Sequence, residues 1–129
     1  MEGARGGVVL RVDGELRFLP ATLAARVAPS PRVTAVPGAP PDLLGIAMHE
    51  GTIVPVVSIG AARGEMLVCQ HAGELLGLVG GEVVRTGRFD AVEGRADLVQ
   101  VDGERARQLD VGALYARVQT GGRPSRAPR

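Results

Sequence analysis

Apolar and polar positions alternate in short runs, and each run stops at a two-residue step ending in glycine. The unit occurs four times: VVLRV, Asp13-Gly14, ELRFL; LLGIAMH, Glu50-Gly51, TIVPVVSI; EMLVCQH, Ala72-Gly73, ELLGLV; and DLVQV, Asp102-Gly103, ERARQL. A two-residue hairpin turn of the favoured type needs φ > 0 at both central positions, which Asp-Gly tolerates best. The pattern therefore predicts four β-hairpins. Short strands punctuated in this way predict an all-β sandwich or barrel, and barrel closure removes strand edges that invite aggregation.

Two segments break the alternation. Residues 20–27 (PATLAARV) predict a short helix after the first hairpin, with Pro20 in the first turn, where a missing N–H costs nothing. Residues 110–118 (DVGALYARV) predict a second helix, N-capped by Asp110. In it Val111, Leu114, Tyr115 and Val118 fall on one face at helical spacing. The stretches VDGELRFLPATLAARV (12–27) and VDGERARQLDVGALYARV (101–118) share the turn and an Ala-Arg-Val ending. They read either as two copies of one hairpin-plus-helix unit, hence two sub-barrels, or as chance likeness in an Ala/Arg/Val-rich chain. Residues 28–41 hold most of the prolines and predict an irregular surface connection anchored by Val33 and Val36. The tail, residues 121–129 (GGRPSRAPR), has no apolar anchor and predicts disorder, with Arg123, Arg126 and Arg129 solvated.

Composition narrows the class. With 45% hydrophobic and 22% charged residues, 129 residues suffice for one domain with its own core. Trp is absent and Phe18, Phe89 and Tyr115 are the only aromatics, so stacking platforms for single-stranded nucleic acid are excluded. Net charge is +1, too small to capture DNA or an anionic membrane. Every basic residue is Arg, which removes the P-loop lysine and Schiff-base chemistry. One cysteine, Cys69, forms no internal disulfide and points to a reducing cytoplasm. The N-terminal apolar run is too short for a signal peptide, and none is long enough to span a membrane.

Candidate chemistry is thin. His49 and His71 each end a predicted strand beside a turn, where a surface histidine is the ordinary reading. Cys69 with His71 is too few ligands for a metal, and Cys69 itself reads as a small buried hydrophobe. Ser58 lacks a nucleophile elbow. Gly77-Leu78-Val79-Gly80-Gly81 lacks the dinucleotide fingerprint and reads as a bend between strands. No catalytic residue, cofactor or metal site is predicted.

The segment 35–59, AVPGAPPDLLGIAMHEGTIVPVVSI, resembles the hallmark of the CheW family of bacterial chemotaxis coupling proteins. A Val36-Pro37-Gly38-Ala39-Pro40 run leads into a strand with Leu44 and Gly45, a turn at Gly51, and Val54-Pro55-Val56-Val57. Weaker likeness runs through residues 19–32, 75–84 and 97–115, so that the resemblance covers roughly 7–118. It implies two packed five-stranded SH3-like β-barrels, here either consecutive (roughly 7–60 and 61–118) or intertwined. It also implies a non-catalytic cytoplasmic adaptor between chemoreceptor tips and the regulatory domain of the histidine kinase CheA. One surface would serve the kinase, and a groove between the barrels the receptor. Carried onto this chain, the partner-binding positions are Arg26, Val27, Met48, His49, Glu50 and Ser58. Five of them depart from the family pattern, in which Asn and Leu stand where this chain has Met48 and His49. Its usual arginine is Glu50, its frequent glutamate is Arg26, and its aspartate after the Val-Pro-Val-Val strand is Ser58. A module that has left chemosensory signalling is the alternative, with a small ligand-binding barrel behind it.

Overall fold

The computed structural model describes residues 3–23, 26–29 and 32–121. All four predicted hairpins form: β1 (Ala4–Val12) with β2 (Glu15–Pro20), β4 (Leu43–His49) with β5 (Thr52–Ser58), β6 (Met66–His71) with β7 (Glu74–Val79), and β9 (Arg95–Val101) with β10 (Glu104–Gln108). At each turn both central residues have positive φ: Asp13 49° and Gly14 89°, Glu50 51° and Gly51 81°, Ala72 52° and Gly73 82°, Asp102 45° and Gly103 84°. These are the mirror-image turns whose twist matches that of the strands they join.

The hairpins assemble into two sheets. One is a closed barrel in the order β1-β2-β10-β9-β8, where β8 is Glu82–Val92. The other is a five-stranded sheet in the order β3-β6-β7-β5-β4, where β3 is Arg26–Ala28. In each sheet two hairpins are joined by parallel pairing of their second strands, β2 with β10 and β5 with β7. The second sheet comes near to closing. Thr34, beyond β3, exchanges both backbone hydrogen bonds with Ile46 of β4, at 2.8 and 2.9 Å.

The strands do not divide at residue 60. The second sheet, residues 26–79, is inserted between β2 and β8 of the closed barrel, so the two units are intertwined rather than consecutive. The two similar stretches 12–27 and 101–118 contribute hairpins to the same barrel, lying side by side, and do not mark two sub-barrels.

Alternate residues of the strands feed different cores. Val9, Leu16, Phe18, Phe89, Val99, Val101 and Ala106 fill the closed barrel, with Phe18 and Phe89 edge to face at 6.0 Å. Ala47, Val56, Met66 and Val68 fill the second sheet's concave side, and Val33 of the proline-rich connection packs against them. Leu10, Val12, Leu19, Val57, Leu67, Cys69, Leu76 and Leu78 form a third core between the two sheets. Runs such as Val9-Leu10, Phe18-Leu19 and Met66-Leu67-Val68-Cys69 are apolar at consecutive positions for this reason. A strand buried on both faces loses the polar alternation of a half-solvated one.

The last helix, α1 (Val111–Gly121), caps this middle core. Asp110 caps it as predicted, its Oδ1 accepting from Ala113 N at 3.0 Å. Val111 and Val118 are buried, and Leu114 and Tyr115 pack beside them. Among the described residues of 20–27, which leave out 24 and 25, the other predicted helix does not form. β2 runs through Pro20, only Ala21–Leu23 form a 3₁₀ turn, and Arg26 and Val27 lie on β3. Pairing of β3 with β6 satisfies the backbone there and overrides a weak local helix preference. A fifth hairpin, β8 with β9 around Gly94 (φ 76°), was not among the four predicted. Of the tail predicted over residues 121–129, Gly121 ends α1 instead, and residues 122–129 lie outside the described residues.

Just past the ends of the paired strands β5 and β7, the backbones of Gly60 and Gly80 approach closely. A Cβ on Gly80 would run into the Gly60 backbone, and one on Gly60 into the Gly80 carbonyl. Gly80 also has φ 105°, a region that side chains rarely adopt. The glycine run after β7 is thus a bend by which the chain leaves one sheet for the other. Asp13, in the first hairpin turn, ties the same junction by accepting from Ala61 N at 3.0 Å.

Candidate functional site

Strands β4 and β5 present a third apolar face that neither sheet covers. Ala47, Val54 and Val56 point into the fold and are buried, and the residues between them, Ile46, Met48, Ile53 and Pro55, face outward. Met48 and Ile53 are direct partners across the ladder and are 64% and 61% exposed, the two most exposed large hydrophobics among the described residues. Val27 on β3 is also exposed. Leu44 is the extra residue of a bulge, since Leu43 opposes Val57 while Gly45 opposes Val56. An inserted residue is left without a ladder partner, which turns the Leu44 side chain to solvent.

Charge borders this face. Arg26 Nη1 lies 3.0 Å from Glu50 Oε2, joining β3 to the tip of the β4–β5 hairpin. His49 Nε2 lies 3.8 Å from the same oxygen, and its side chain is largely covered. Arg26 and Glu50 are about two-thirds exposed, so the pair contributes no more than about 1 kcal/mol to stability. Its meaning is positional. The two residues at which the sequence reverses the family's charges are each other's partner.

Of the six positions singled out from the sequence, Arg26, His49 and Glu50 come together, and Met48 adjoins His49 on β4. Val27 lies beside Arg26 on β3. Ser58 stands apart, at the other end of β5. At about 3.3 Å per residue it is about 20 Å from the hairpin tip. Its Oγ donates to the Gly60 carbonyl at 3.0 Å. Ser58 lines a different groove of about 530 Å³ with Asp13, Ile59, Leu109, Leu114 and Arg117, between the β1–β2 hairpin, the end of β5 and α1.

The residues considered for chemistry have structural places. Cys69 is buried in the middle core, its Sγ 3.4 Å from the Leu76 carbonyl, and burial pushes its thiol up to about 11. His71 is partly covered by Tyr115, with ring centroids 5.9 Å apart. Partial burial and the neighbouring Glu74 raise the Tyr115 phenol above its ordinary range. Among the described residues no group of three or more His, Cys, Asp or Glu could hold a metal ion.

Ile53 and Arg32 belong to the surface and were not singled out. The signal for Ile53 was in the sequence: across a two-residue turn at Glu50-Gly51, position 53 must face position 48. Arg32 carried no such signal, because only the Thr34–Ile46 bridge brings its segment against β4.

Comparison with known families matches the CheW-like domain over residues 6–102. Comparison with curated proteins finds no match. Among solved structures the chain is similar to the scaffolding protein TtCheW from Thermoanaerobacter tengcongensis. The two share 18% sequence identity with a TM-score of 0.65, over 84% of this chain and 88% of that one. At that identity the likeness carries the fold.

Proposed function

The chain belongs to the CheW-like domain family, and on that footing we propose that it is a non-catalytic chemotaxis scaffold that couples chemoreceptor tips to the regulatory domain of a CheA-type histidine kinase. The observation that carries the reading is the uncovered apolar face of the β4–β5 hairpin, bordered by the Arg26–Glu50 pair. Large apolar residues rimmed by charge on an otherwise well-packed protein mark a surface that another protein covers. Binding energy at such surfaces concentrates in a few buried apolar side chains, and Met48 and Ile53 have that position here. The groove holding Ser58 sets the apolar Ile59, Leu109 and Leu114 beside the charged Asp13, Glu15, Arg17, Asp110 and Arg117, which suits an amphipathic helix of a receptor tip. No described helix is long and apolar enough to cross a membrane, and the adaptor would act in the cytoplasm, reaching receptor arrays through its partners.

Each half of the role has its own test. Binding of the full chain to the regulatory domain of the histidine kinase from the same organism, measured by calorimetry, is expected and is to weaken at least tenfold in Ile53→Ser. Binding to the cognate receptor tip is expected to survive Ile53→Ser and to weaken on Leu114→Ser. Absence of both interactions in the unsubstituted chain overturns the coupling role. The inverted Arg26–Glu50 pair favours one second reading, a divergent CheW-like module serving another signalling pathway. Finding only partners from outside chemosensory signalling selects it.

A further inference from the structure

Beside Met48 and Ile53 the outer face is concave. Arg32, Thr34, Ile46, Ala47, Met48 and Ile53 line a pit of about 310 Å³. That is the small end of the range for ligand sites, about 300–1,000 Å³, and suits one bulky side chain better than a metabolite. Most of its lining is aliphatic, and Thr34 and Arg32 are its polar members. Among the described residues Arg32 has no ion-pair or hydrogen-bond partner, whereas Arg26, Arg85 and Arg95 each have a carboxylate. A pit with an apolar floor and an unneutralised cation on its rim selects an apolar anchor with a carboxylate next to it.

We propose that this pit takes a single aromatic or large aliphatic side chain from a protein partner, and that Arg32 reads an acidic residue adjacent to that anchor in the partner's chain. This rests on the reading of the hairpin face as a docking surface and specifies what docks there. The apolar side chain supplies most of the affinity by leaving water. The carboxylate supplies direction, because guanidinium–carboxylate pairs have a fixed fork geometry. Arg26 is already occupied by Glu50, which leaves Arg32 as the rim cation free to discriminate.

The test uses the isotope-labelled full chain and three short synthetic peptides. One carries a central Phe-Asp pair, one Phe-Lys in its place, and one Ala-Asp. Titration to millimolar peptide, followed by amide chemical shifts, is expected to move Thr34, Ile46, Ala47, Met48 and Ile53 with the Phe-Asp peptide. The Phe-Lys peptide is expected to bind about three- to fivefold more weakly, the range of a surface ion pair, and the Ala-Asp peptide to move none of these residues. Arg32→Glu is expected to reverse the preference between the two Phe peptides, a result that a merely structural role for Arg32 would not produce. Equal binding of both Phe peptides, shifts that fall elsewhere, or no shift at millimolar peptide overturns the proposal. So does an unreversed preference in Arg32→Glu. None of these outcomes depends on the kinase. Loss of kinase binding with the peptide preference intact sinks the coupling role alone, and the converse sinks the anchor alone.

Discussion

Arg26 and Glu50 show how little a residue can do for stability while still defining a surface. Both are largely exposed and 3.0 Å apart, so their attraction is screened by water and salt. Glu50→Arg sets two guanidinium groups against each other and is expected to cost no more than about 1 kcal/mol in urea denaturation. The double substitution Arg26→Glu with Glu50→Arg is expected to restore most of that loss. Partner affinity should respond more strongly than stability to either single change, because a like charge placed against a partner excludes it. A loss of several kcal/mol from Glu50→Arg would show that the turn itself depends on Glu50. Cys69 is the opposite case, a residue whose chemistry is suppressed by its place. Burial holds its thiol protonated to about 11, so the native protein should resist thiol reagents at pH 8 and react only when unfolded. The same shift has a sign for stability. The native state keeps the proton where the unfolded chain, titrating near its ordinary value of 9.0, releases it. Its contribution is therefore complete below about pH 9 and declines as pH rises toward 11. Two units correspond to about 3 kcal/mol. Cys69→Ala should flatten that part of the profile.

Among the elements, the turns were the most legible part of the sequence and the short connections the least. Asp-Gly, Glu-Gly and Ala-Gly between apolar runs announced four hairpins because two consecutive residues with φ > 0 are a demand that few dipeptides meet. The β8–β9 hairpin escaped notice because β8 is exposed along most of its length and lacks the apolar alternation of the others. The helix expected over residues 20–27 failed because propensity there competes with strand pairing that only the assembled sheet supplies. The candidate site was legible in the same measure. Met48, His49 and Glu50 flank a turn and were found, whereas Arg32 depends on a long-range bridge and was not. Glycines carry the sharpest test at this scale. Gly73→Ala has open space around it and should cost about 1 kcal/mol from its φ of 82° alone. Gly80→Ala adds collision with the Gly60 backbone to a φ of 105°, and should cost at least 3 kcal/mol or prevent folding. Equal losses from the two substitutions would mean that the backbone at Gly60 and Gly80 can move apart at little cost.

For the whole molecule, the decisive feature is the insertion of one sheet into the other. The closed barrel needs residues 4–20 and 82–108, which are joined only through the second sheet. The middle core is built by both sheets and sealed by α1, so neither sheet retains its buried surface without the other. Two barrels that were merely tethered would unfold in two steps, but two that share a core and exchange chain segments have no boundary along which to separate. The chain is therefore expected to unfold in one cooperative transition. Its urea midpoint should be the same for amides of the closed barrel, such as Val99, and of the second sheet, such as Val68. Val118→Asp, which places a carboxylate in the shared core, should lower both midpoints together. The proposed adaptor role gains from this construction, because the two proposed docking regions, the β4–β5 face and the groove beside α1, are then held by one rigid body. On that proposal, a partner on one region meets a partner on the other at a fixed distance and angle, as a scaffold that sets its partners' geometry requires. Separate midpoints for Val99 and Val68 would contradict this, and would make the protein a flexible link between partners instead of a spacer.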